Sequence, residues 1–167
     1  MRRIISMLLQ NEAGALSRVA GMFAARGYNI DSLTVAATHD PAVSRLTLVT
    51  HGDDIVIGQI INQSRKLVDV IQIGDLTSRD HLECELLIVK VGFAPGKAPL
   101  VAACVRRDPR AVLFDESDAT RTIQFTGTGA ELNAFLAELA AFAHILELAR
   151  TGTAAIDRGE LLLAAAS

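Results

Sequence analysis

The sequence predicts an α+β chain built as two ferredoxin-like βαββαβ units in tandem. Three observations carry this expectation. Short stretches that alternate apolar and polar residues are separated by longer ones whose apolar residues recur at i, i+3, i+4 and i+7. The order strand, helix, strand, strand, helix, strand runs once and then starts again after the polar cluster "TSRDH" that begins at Thr77. With 167 residues, half of them hydrophobic, the chain suffices for two modest cores. The expected domains are 1–78 and 79–167.

In order, "RRIISMLLQ" alternates as a strand half-buried on one face, with Ile4, Ser6 and Leu8 opposite Ile5, Met7 and Leu9. A helix follows, its inner stripe expected at Leu16, Val19, Ala20 and Phe23, and Gly27 is placed to end it in a left-handed conformation. "YNIDSLTVAAT" reads as a strand, "HDPAV" as a turn and "SRLTLVTHG" as the returning strand of a hairpin. Asp53 or Asp54 can cap the next helix, with Ile57, Ile60, Ile61, Ser64 and Leu67 inward, and "VDVIQIGDL" closes the unit. The second unit reads as strand "CELLIVKV", helix around "APLVAACVRR", strands "AVLFDE" and "RTIQFTG", helix "ELNAFLAELAAF" and strand "HILELAR". In its second helix Leu132, Phe135, Leu136, Leu139 and Ala143 form a stripe, and Thr128 with Glu131 fits a capping box.

Composition excludes several classes of function. A net charge of −3, with Lys and Arg scattered, leaves no basic footprint for nucleic acid. The N-terminus lacks the apolar core and cleavage site of a signal peptide, and no window approaches the roughly 18 apolar residues of a membrane span. Cys84 and Cys104 show neither CxxC spacing nor disulfide density, so they are expected as reduced core thiols in a cytoplasmic protein. A mean hydropathy of +0.33 is high for so short a chain, and the surplus apolar surface is expected to meet another subunit.

Catalysis requires convergent groups, and the sequence shows none. His39, His51, His81 and His144 lie in separate turns and strand ends without the i, i+4 spacing of a helical metal pair, so neither a metal site nor a resident cofactor is expected. "GTGAEL" at Gly127 resembles a dinucleotide fingerprint, but Leu132 stands where its third glycine belongs. In "DHLECE" alternation assigns Glu83 and Glu85 to the solvated face.

The stretch "NEAGALSRVAGMFAARGYNIDSL" points instead to binding. Its loop delivers the chain into a helix N-terminus, where free N–H groups and the helix dipole favour a carboxylate, and Gly14 allows close approach. Asn11 and Asn29 offer donor and acceptor together, which suits a zwitterion, and Leu16 and Ile30 can receive an aliphatic side chain. A branched amino acid fits this description. The same residues also fit a plain structural role, with Asn11 capping the helix, Gly14 incidental and Asn29 opening a strand.

"RRIISMLLQNEAGALSRVAGMFAARGYNIDSLTVA" closely resembles the start of the small regulatory subunits of acetolactate synthase, also called acetohydroxyacid synthase. The likeness continues in "DPAVSRLTLVT", "KLVDVIQIGDL", "TIQFTGT", "LNAFL" and "ILELARTG", and thins across "APGKAPLVAACVRRDPRA" and in the apolar tail "ELLLAAAS". The resemblance implies that residues 1–78 form an ACT regulatory domain that dimerises and binds valine, and that 79–167 form the C-terminal domain of such a subunit. It assigns valine to Asn11, Gly14, Ala15 and Leu16 of one protomer with Asn29 and Ile30 of the other. It implies no catalytic residues here, and a catalytic large subunit that carries thiamine diphosphate, Mg2+ and FAD. That partner would be activated by the small subunit and made sensitive to the end products of branched-chain amino acid biosynthesis. An ACT-type sensor of a different enzyme or regulator is the alternative.

Overall fold

The computed structural model describes Met1 to Leu163. The chain folds into two units, one made of Met1–Glu83 together with the residues from Gly152 onward and the other of Cys84–Thr151. The expected division at 78/79 gave the C-terminal residues to the second unit, whereas here the chain returns to the first. Residues 164–167, the end of the apolar tail, lie outside the described residues.

The first unit contains β1 (Arg2–Gln10), α1 (Ala15–Ala25), β2 (Ser32–Ala37), β3 (Val43–His51), α2 (Asp54–Ser64) and β4 (Val70–Asp75). Its strands form an antiparallel sheet in the order β2-β3-β1-β4, with β1 and β3 in unbroken register from Arg2 opposite His51 to Gln10 opposite Val43. Ile5, Met7 and Leu9 of β1 pack with Leu46, Leu48 and Ile73 beneath Val19, Phe23, Ile57 and Ile60 of the two helices. Burial of each such side chain contributes about 1.5–3 kcal/mol.

The second unit follows the same path. β5 (His81–Gly92) opens in the first unit and continues into the second; after it come α3 (Ala98–Arg107), β6 (Ala111–Glu116), β7 (Thr120–Gly127), α4 (Gly129–Ala140) and β8 (His144–Arg150). The strand order is β6-β7-β5-β8. Leu87, Val89 and Val91 alternate inward to meet Ile123, Phe125 and the α4 residues Leu132, Phe135 and Leu139. The rings of Phe125 and Phe135 stack 4.3 Å apart. Thus the expected α+β architecture, two βαββαβ domains in tandem, is the observed one.

The structure departs from the sequence expectations in several places. β1 is buried on both faces, with every residue from Arg3 to Leu9 inside. The cover on its second face is the returning C-terminal segment, which includes the unforeseen strand β9 (Ala154–Asp157). Ala155 completes a small core with Ile4, Val49 and Leu76. On α1 the buried residues are Ala15, Val19, Met22 and Phe23, while Leu16, expected inward, is 41% exposed. β2 starts at Ser32, because Tyr28 is held by the helix end, its N–H donating to Phe23 O at 3.0 Å. Glu85 is buried, not solvated, since the Arg150 guanidinium reaches both its carboxylate oxygens at 2.7 and 2.8 Å. Cys84 is exposed and only Cys104 is a core thiol, whose pKa burial raises.

Candidate functional site

The segment between β1 and α1 turns sharply because Gly14 adopts φ 90°, a left-handed conformation that side chains disfavour. Gly14 is the residue before the helix, not part of its first turn. No side chain caps the helix there, and no acidic residue lies in the first turn. The leading N–H groups of an α-helix have no intrahelical acceptor, so this end keeps its partial positive charge.

Asn11 is a pin, not a cap. Its N–H donates to Ala42 O at 2.8 Å, its Nδ2 to Pro41 O at 2.8 Å, and its Oδ1 accepts from Ser44 Oγ at 2.9 Å. The three bonds tie the helix-entry loop to the β2–β3 turn and the start of β3, which fixes where the open helix end points. Each amide group can make a second hydrogen bond.

One turn into α1, Arg18 donates through Nε and Nη2 to the carboxylate of buried Asp69, the Nη2 bond being 2.7 Å. That pairing raises the Arg18 pKa and lowers that of Asp69, with burial opposing each shift. Arg18 Nη1 lies where a side chain on residue 14 would sit, 2.8 Å from an ideal Cβ. Gly14 therefore makes room for the Arg18 guanidinium. The sequence reading missed this pair. Its signal was the four-residue spacing from Gly14 to Arg18, which stacks them on one helix face; nothing in the sequence marked Asp69.

The remaining expected residues lie elsewhere. Asn29 is exposed in the link between α1 and β2, its Nδ2 donating to Asp31 Oδ1 at 2.6 Å while its carbonyl accepts from Thr50 Oγ1 at 2.6 Å. Ile30 is half-buried against the core of the first unit. Asn11 thus sits beside Ser44 at one end of β3 and Asn29 beside Thr50 at the other. Six residue steps of strand separate them, about 20 Å, so one chain does not bring the two asparagines together. Ala15 is buried beneath the helix, whereas Leu16 faces outward beside Gly14.

Among the described residues no three His, Cys, Asp or Glu side chains are grouped to hold a metal ion. No helix among the described residues is long and apolar enough to cross a membrane.

Comparison with known proteins places both units. Residues 5–72 match the AHAS small subunit-like ACT domain and residues 84–159 match the family described as small subunit of acetolactate synthase. The chain is 43% identical to the acetolactate synthase isozyme 3 small subunit of Escherichia coli (strain K12), over 98% of this chain and 99% of that one. It is 41% identical to the acetolactate synthase small subunit of Haemophilus influenzae, over 96% and 98% of the two chains. The crystal structure of the small subunit from Thermotoga maritima superposes with a TM-score of 0.82 at 32% identity, covering 96% of this chain and 99% of that one. With an ACT-type first unit, a matching second unit and near full-length likeness, the chain belongs to the family of acetolactate synthase small subunits.

Proposed function

We propose that this regulatory subunit binds valine between two copies of itself and thereby controls a catalytic large subunit of acetolactate synthase. The partner would carry the thiamine diphosphate, Mg2+ and FAD, and this chain none of the chemistry. The observation that carries the reading is the uncapped start of α1 at Gly14, with Asn29 at the far end of β3. A carboxylate suits the helix end, and the groups that complete the site must come from a second protomer. β2 is the edge of its sheet, and two such edges paired antiparallel would set the Asn11 end of one protomer against the Asn29 end of the other.

Exposed Leu16 and half-buried Ile30 suit the branched side chain, while Asn11, Gly14, Ala15 and Asn29 take the polar end. Valine then acts by preferring one arrangement of the dimer, and a tenfold shift in population needs about 1.4 kcal/mol of preference. End-product feedback on branched-chain amino acid biosynthesis follows, in the cytoplasm.

Reconstitution tests this directly. The chain alone should form no acetolactate, the cognate large subunit should gain activity on mixing, and valine should reverse the gain. Gly14→Asp puts a negative side chain beside the ligand carboxylate, so it should abolish the valine effect while activation persists. Inhibition at the wild-type valine concentration in that variant would show the site to be elsewhere. Valine binding without activation would assign the chain to the alternative, a sensor serving a different enzyme or regulator.

A further inference from the structure

The second face of the first unit's sheet carries a feature that valine control does not use. Beside β9 the cover is incomplete and leaves a cleft of about 320 Å³, at the small end of ligand sites. Its lining includes Thr34, Ala36 and Ala37 of β2, Arg45 of β3, and Ala154 and Ile156 of β9. The volume exists because alanines stand where larger residues would close the gap.

Arg45 is the charged group in this lining. Its guanidinium is half-buried and held by neutral acceptors, donating from Nη1 to Ser6 Oγ at 3.1 Å and from Nη2 to Leu163 O at 3.0 Å. Among the described residues no carboxylate lies within ion-pair distance of it. Asp157, whose field reaches Arg45, is itself taken by Arg79 at 3.3 and 3.4 Å. Burial accordingly lowers the Arg45 pKa more than Asp157 restores it. A half-buried cation held by neutral acceptors favours an anion, and a guanidinium favours a carboxylate it can grip with two N–H groups.

We propose that this cleft binds a short aliphatic monocarboxylate, its anionic end on Arg45 and its hydrocarbon against Ala36, Ala37, Ala154 and Ile156. Among the described residues no Asp or Glu lines the cleft, so the ammonium of an amino acid would be desolvated there without a counter-charge. The site therefore selects simple carboxylic or 2-oxo acids over zwitterions and differs in specificity from the site proposed at Gly14.

The test follows the methyl NMR signals of Ala154 and Ile156 in the full-length chain during titration with acetate, butyrate and hexanoate, with butylamine and valine as controls. Butyrate should shift both methyls saturably, and each methylene that still fits should tighten binding about threefold to fourfold. Arg45→Gln should weaken butyrate at least tenfold. Ala154→Phe, which fills the space but keeps the guanidinium, should remove the response, with unchanged β1 and β3 amide signals as the folding control. No saturable shift in the wild type overturns the proposal, as does a butyrate response that survives Ala154→Phe or is matched by butylamine.

Discussion

The two units trace the same βαββαβ path but treat their sheets differently. In the first, the outward residues Ile4 and Val49 are 1% and 5% exposed because Ala155 of the returning segment lies against them. In the second, the outward residues Ile88 and Val112 are 36% and 44% exposed, and an ion pair between Lys90 and Glu147 runs across the same face. The helix starts also contrast. α1 opens on a left-handed glycine without a cap, whereas α4 opens on a complete capping box between Thr128 and Glu131. Connectivity alone therefore fixes neither burial nor helix capping. The unit whose central strand β1 is buried on both faces is also the one with an open helix end.

The largest expected effect concerns the closed face. Ile4→Ala should cost about 2–5 kcal/mol of unfolding free energy, because it cuts a cavity into a buried cluster. Ile88→Ala, on the exposed face of the other sheet, should change it by under about 1 kcal/mol. Equal losses in urea denaturation of the full-length variants would remove the contrast between the faces.

An intermediate effect separates the helix starts. Gly14→Ala must hold a left-handed φ and crowd Arg18 Nη1, for a loss of about 1–2 kcal/mol. Gly129→Ala meets only ordinary contacts, 3.5 Å or more from its nearest neighbours, and should be neutral or stabilising by up to about 1 kcal/mol. Thermal unfolding that ranks the two variants in the opposite order would contradict the assigned backbone conformations.

The smallest effect is a titration. Glu131 is held down to about 2 by hydrogen bonds from the Thr128 backbone, Arg110 and the Thr128 hydroxyl, and Asp108 to about 2 chiefly by Arg110. Their folded values lie below the ordinary 4.5 and 3.8. The stabilisation they give is thus full above those ordinary values and fades as pH falls towards 2. Arg110→Met should flatten this part of the stability profile, and an unchanged acid limb would rule out the Arg110 cluster as its source.

Much of this was legible in the sequence because it rests on local rules. Leu132, Phe135 and Leu139 announced the buried face of α4, and Thr128 with Glu131 announced its cap, since spacing along a helix maps directly onto a face. Gly27 was legible at the other end of α1 for a similar reason, its φ of 68° marking the left-handed stop. Leu16 was misplaced by the same rule, because a helix stripe can be rotated by one residue and keep the same spacing. Ala15 and Met22 take the inner positions, and the choice depends on what the sheet presents. Glu85 was misread because alternation gives two faces without saying which one an arginine will follow inward.

The sequence by itself determined the βαββαβ order of each repeat, the caps at Asp53 and Thr128, the left-handed stop at Gly27 and a resemblance strong enough to name the family, since each is written in neighbouring residues. Only the tertiary structure decided that the chain returns after Gly152 to close the second face of the first sheet. It alone set Arg45 in a cleft beside β9 and put Asn11 and Asn29 at opposite ends of β3. Those facts depend on strand register and on contacts between residues more than a hundred positions apart, and local propensity carries no information about either.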